Sequence, residues 1–109
     1  MLWKYLIGSS FLLLILVSLC VNSGEVWIDV RSLDEYQSDH VVGDTRITHT
    51  DIVAEVTKLF PDKNTEILLY CRSGRRAGRA QAMLVEAGYV NIRNIGGIDD
   101  ARKERGLSN

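Results

Sequence analysis

With 109 residues, 46% hydrophobic and 25% charged, the chain has room for one domain of ordinary globular composition. That excludes a disordered tract, a collagen-like repeat and a large enzyme with its own cofactor domain. A net charge of −1 argues against a general nucleic-acid binder, two cysteines cannot frame a disulfide scaffold, and two histidines cannot build a rich metal site.

The amino-terminal segment stands apart. Lys4 gives a positive start, and Tyr5–Gly24 then carry no charge over 20 residues, with the densest apolar stretch at Phe11–Val17. This is the pattern of a secretory signal, with Val21 and Ser23 at the −3 and −1 positions of a cut before Gly24. The alternative is a retained anchor, because about 20 uncharged residues can span a bilayer. Residues 1–23 are therefore read as a signal peptide or membrane anchor, and 24–109 as the exported domain. The expected location is the periplasm, or the inner membrane if the segment stays, with no other membrane contact. Cleavage removes one lysine and no acid, taking the net charge to −2. It also discards Cys20, a passive residue of that segment, and leaves Cys71 as the single thiol. In an oxidising compartment a lone thiol is either shielded or used.

In the exported part, Glu25–Val30 (EVWIDV) is a β-branched apolar run that predicts a strand. Ser32 stands three residues before Glu35, a capping box opening a helix over Leu33–Asp39. A brief extended piece is expected at Arg46–Thr48. Thr50 or Asp51 then caps a helix with Ile52, Val53, Val56, Leu59 and Phe60 on one face, ended by Pro61. Glu66–Tyr70 reads as a strand buried on both faces. Ala77–Ala87 is a strong helix closed by Gly88. Tyr89–Ile92 predicts a third strand, Gly96-Gly97 a turn, and Ile98–Arg105 a final polar helix. Strands alternating with helices imply an α/β fold: one domain with a central parallel sheet flanked by helices.

Ligands of such sheets bind beyond the carboxyl ends of the strands. The loop after the most buried strand begins at Cys71 and reads Cys71-Arg72-Ser73-Gly74-Arg75-Arg76 before the helix. A thiol there meets unpaired backbone N–H groups and the positive end of a helix dipole, which lower its pKa and favour a bound anion. Gly74 permits the left-handed backbone that curls successive N–H groups inward. Arg72, Arg75, Arg76 and Arg79 place four cations within eight residues of a chain with net negative charge. Together these predict a nucleophilic thiolate and an anionic substrate. A cysteine phosphatase carries its clamp arginine at +6, usually after a histidine at −1. Here those positions are Ala77 and Tyr70, so phosphatase or arsenate reductase chemistry is the minor alternative.

Two separated segments resemble the rhodanese-type sulfurtransferases. Cys71–Arg76 resembles that family's active loop, C-x-x-G-x-R. Ile28-Asp29-Val30-Arg31 with Glu35-Tyr36, His40 and Gly43 resembles its upstream signature, and Gly96-Gly97 matches its carboxyl-terminal glycine pair. The resemblance implies a single rhodanese-like domain and a two-step reaction. The Cys71 thiolate takes the outer sulfur of thiosulfate, holds it as a persulfide and passes it to cyanide or a thiol. It implies no cofactor and no metal, since the cysteine carries the sulfur. The loop N–H groups from Arg72 through Ser73 and Gly74 to Arg76 would stabilise the charge, with Arg75 and Arg76 the first candidates to bind the thiosulfate oxyanion. A persulfide carrier for protein partners and a non-catalytic anion-binding module are the alternatives.

The chain departs from the family at Asp44-Thr45-Arg46-Ile47-Thr48, where A-x-x-I-P is usual, and the expectation is an altered substrate rim. Asp29 and Arg31 read as structural, with Arg31 paired to a carboxylate such as Glu35. His40 also reads as a structural hydrogen-bonding residue. The tail from Asp99 reads as a solvated face.

Overall fold

The structure is a computed structural model that describes residues 24–108. The expectations about the signal segment and Cys20 lie outside those residues. Eight elements follow in order: β1 (Val26–Asp29), α1 (Leu33–Ser38), β2 (Thr45–Arg46), α2 (Ile52–Leu59), β3 (Ile67–Cys71), α3 (Arg75–Glu86), β4 (Ile92–Gly97) and α4 (Ile98–Glu104). The four strands form one wholly parallel sheet in the order β2-β1-β3-β4. The α/β expectation, a parallel sheet flanked by helices, is met.

Alternation along the strands sorts side chains into two cores. Ile28, Val30, Ile67, Leu69 and Cys71 face one side, where they pack with Ile52 and Val56 of α2 and Ala77, Ala80 and Leu84 of α3. Tyr70 faces the other side with Val41, Ile98 and Ala101, and Trp27 packs against them. Every residue of β3 is buried, and each of its aliphatic side chains stabilises the fold by about 1.5–3 kcal/mol. That is why β3 is the strand that fixes the site.

α1 buries no residue. Six residues are too few to hold a helix alone, and polar bonds hold this one. The capping box is present: the Glu35 N–H donates to Ser32 Oγ at 3.3 Å, and the Ser32 N–H donates to Glu35 Oε1 at 3.1 Å.

Several boundaries correct the sequence reading. Asp51 is the N-cap of α2, but its side chain makes no capping bond, because the carboxylate accepts instead from Thr48 Oγ1 at 3.0 Å. Leu59 is 51% exposed and leaves the α2 core face. The last strand, β4, runs over Ile92–Gly97, not Tyr89–Ile92, so the glycine pair ends a strand and is not a free turn. Tyr89 belongs to the exit of α3: its N–H returns to the Leu84 carbonyl, and its hydroxyl donates to the Phe60 carbonyl at 2.6 Å. β4 carries a register shift, with Leu69 opposite Asn94 and Tyr70 opposite Gly96, so one extra residue bulges from the edge.

The tail is also less solvated than expected. Arg102 is buried and grips the Asp39 carboxylate with both terminal nitrogens, at 2.9 and 2.7 Å. Arg105 does the same to Asp44, at 2.7 and 3.0 Å, and lies over the Trp27 ring.

Candidate active site

Cys71 is the last residue of β3 rather than the first of the loop, and its ladder partner is Gly97 of β4. The thiol therefore sits at the end of the fully buried strand, with no exposed surface. α3 starts at Arg75, two residues earlier than the hydrophobic pattern indicated, with Gly74 as its N-cap. Gly74 has φ +95°, a left-handed conformation that costs other residues about 1–2 kcal/mol. This geometry turns the Gly74 N–H onto Cys71 Sγ at 3.0 Å.

Two opposed effects set the ionisation of Cys71. Burial pushes the thiol up. The nearby backbone N–H groups of Ala77, Ser73, Gly74 and Arg76 pull it down, Gly74 through its hydrogen bond to Sγ, and the net result is a pKa below the ordinary thiol value. The sulfur is thus prepared to carry negative charge inside a ring of main-chain donors.

Other residues hold that ring in place. Asn94 of β4 donates from Nδ2 to the Gly74 carbonyl at 2.9 Å and accepts from the Gly96 N–H at 2.9 Å. A Cβ on Gly97 would collide with the Arg72 carbonyl, so only glycine lets the loop lie against β4. The Gly97 N–H is held in turn by the Asp100 carboxylate at 2.8 Å.

A family model for the rhodanese-like domain matches residues 16–104. The chain belongs to the rhodanese-like domain family. Thiosulfate sulfurtransferase PspE of Escherichia coli (strain K12) is 39% identical over 88 residues, covering 81% of this chain and 85% of that protein. Thiosulfate sulfurtransferase 18 of Arabidopsis thaliana is 30% identical over 90 residues, covering 71% and 65% respectively. A solved structure described as a rhodanese with anions from E. coli matches with a TM-score of 0.67 at 39% identity. It covers 71% of this chain and 91% of its own.

In this rhodanese-like loop the four arginines are not equivalent. Arg76 is committed: its guanidinium meets Glu35 in a bidentate pair at 2.7 and 3.0 Å. The Arg76 pair, with support from both Ser32 donors, holds the Glu35 carboxyl down to about 2 against the effect of burial. Arg76 therefore serves the sulfur through its backbone N–H, while its side chain ties α1 to the first turn of α3. Arg72, Arg75 and Arg79 are exposed and make no ion pair among the described residues. Ser73 and Gly74 contribute their N–H groups.

The upstream signature resolves into supports. Asp29 and Arg31 pair with each other, Nη2 to Oδ2 at 2.8 Å, and not with Glu35; Arg31 also donates to the Asp39 carbonyl. Arg31 lies two residues past the end of β1, where the chain bends back so that both its backbone N–H and its guanidinium reach the Asp29 carboxylate. His40 donates from Nδ1 to the Tyr36 carbonyl at 2.9 Å and stacks on the Tyr36 ring. Asp44 forms no rim. It accepts from the Tyr70 hydroxyl at 2.6 Å as well as from Arg105, and its side chain is almost fully buried. Sequence reasoning missed Asn94 and took Gly97 for part of a turn; the polar residue placed just before the glycine pair was the available signal.

Proposed function

We propose that the chain is a thiosulfate sulfurtransferase working through a persulfide on Cys71. The thiolate attacks the outer sulfur of thiosulfate, the S–S bond of the donor breaks, and sulfite leaves with the bonding pair. The new persulfide is negatively charged, and the main-chain donors from Ser73 to Ala77 stabilise it electrostatically. Cyanide or a thiolate then attacks the outer sulfur and releases the Cys71 thiolate. The observation that carries this reading is a buried sulfur at the head of α3, bonded by the Gly74 N–H at 3.0 Å and held below the ordinary thiol pKa by the backbone N–H groups around it. Arg72 and Arg75 attract the dianionic donor. Because Cys71 is enclosed, the Arg72–Gly74 segment has to yield as the donor enters.

The charge-free run after Lys4 and the Val21-Asn22-Ser23-Gly24 sequence support action in the periplasm with residues 1–23 removed.

The test is intact-mass spectrometry of purified protein after thiosulfate treatment, followed by thiocyanate release with cyanide. The expected result is one added sulfur on Cys71, none in Cys71→Ser, and many turnovers. One sulfur with a single turnover would instead favour the carrier reading. No added sulfur would overturn both.

A further inference from the structure

The carboxyl ends of β1, β3 and β4 enclose more than the sulfur. A cleft of about 400 Å³ opens there, walled by Arg31 after β1, Arg72 after β3, Ile98 and Asp99 after β4, and Glu35 and Asp39 from α1 and its end. The chain leaves β1 toward β2 on one side and returns to β3 on the other. The cleft thus lies at the point of strand-order reversal, where open parallel sheets seat their ligands.

Most charges on its walls are already matched. Arg31 is held by Asp29 and the Asp39 carbonyl, Glu35 by Arg76, and Asp39 by Arg102. Two are not. Arg72, next in sequence to the nucleophile, makes no ion pair among the described residues. Asp99 is 86% exposed at its side chain, and its nearest cation is Arg102 at 3.8 Å, which is already bidentate with Asp39. The cleft therefore offers one uncommitted cation and one uncommitted anion beside the apolar Ile98. Thiosulfate, an anion at both ends, has use for the first only.

We propose that this cleft seats the sulfur acceptor and selects a small thiol bearing both a carboxylate and an ammonium group, the carboxylate meeting Arg72 and the ammonium meeting Asp99. The inference rests on the sulfurtransferase reading. The acceptor thiol loses its proton to water and attacks the outer persulfide sulfur. A new S–S bond forms on the acceptor as the bond to Cys71 breaks, and the electron pair stays on the Cys71 thiolate. Electrons balance without any further oxidant or reductant.

The test loads the protein with thiosulfate, removes the excess, and times sulfur transfer to four thiols at matched thiolate concentration. These are cysteine, cysteamine, 3-mercaptopropionate and 2-mercaptoethanol. Cysteine is expected to be preferred. Asp99→Asn is expected to lower the cysteine-to-2-mercaptoethanol ratio by about 1.5-fold to fivefold, the range of an exposed ion pair. It should lower the 3-mercaptopropionate ratio far less. Ranking by thiolate nucleophilicity alone, or an unchanged ratio in Asp99→Asn, would overturn the proposal while leaving the parent reading intact. Failure to load any sulfur would overturn both.

Discussion

At the scale of single residues, the site depends on amides whose directions are set by side chains that never touch the sulfur. Asn94 is the clearest of these. Its bond to the Gly74 carbonyl keeps the N-cap turned so that the Gly74 N–H meets Sγ. Removing one hydrogen bond of this kind costs about 1 kcal/mol, or roughly fivefold in an equilibrium. In Asn94→Ala the rate of sulfur loading from thiosulfate should fall about that much, and the pH midpoint of Cys71 alkylation should rise toward the ordinary thiol value near 8.5. The midpoint distinguishes a disturbed donor ring from general loosening. An Asn94→Ala protein with an unmoved midpoint would remove this residue from the account.

At the scale of elements, α1 shows how a helix without a core can still matter. Its attachment to the loop is the Glu35–Arg76 pair, and the depressed Glu35 pKa makes that attachment pH-dependent. Above the ordinary carboxyl value of about 4.3 both the folded and unfolded chains hold Glu35 ionised, and the stabilisation is complete. As pH falls, the unfolded chain takes up the proton first, and the contribution is lost on approach to about 2. Urea midpoints measured between pH 5 and pH 2.5 should therefore fall more steeply in the native protein than in Glu35→Gln. Parallel slopes would show that the pair contributes nothing.

The elements also show which parts of the molecule could be read from sequence. Strand β3, the α1 capping box and a thiol at the junction of strand and loop follow from local patterns that short-range physics dictates. The fate of Arg76 does not, because its partner Glu35 lies 41 residues away and only the folded sheet brings them together. Asp44 escaped for the same reason: Arg105 and Tyr70 reach it from distant elements. β4 was misplaced because it is an edge strand with exposed Arg93 and Asn94, so its periodicity is weak, whereas Tyr89 looks strand-like but packs as a core aromatic.

At the scale of the whole molecule, charge is distributed against its own average. The chain is net negative, yet Arg72, Arg75 and Arg79 stand uncompensated around the loop. Such a local field raises the encounter rate of a dianion and is screened over about 10 Å at 0.1 M salt. Raising ionic strength from 0.02 to 0.5 M (~25-fold) should lower kcat/KM for thiosulfate, a dianion, several-fold and lower transfer to 2-mercaptoethanol, which attacks as a monoanion, much less. Equal salt dependence for both would locate the effect elsewhere.

The bulge in β4 has a consequence beyond the loop it supports. β4 is a border of the sheet, and an unpaired border of a parallel sheet is a template on which another chain can polymerise. Here the ladder slips by one residue at Asn94–Gly96, and the Gly96 amide is turned inward to Asn94. An incoming segment finds its register broken midway. The distortion that lets Asn94 steady a reactive sulfur thus also blunts the margin along which copies of the protein could aggregate.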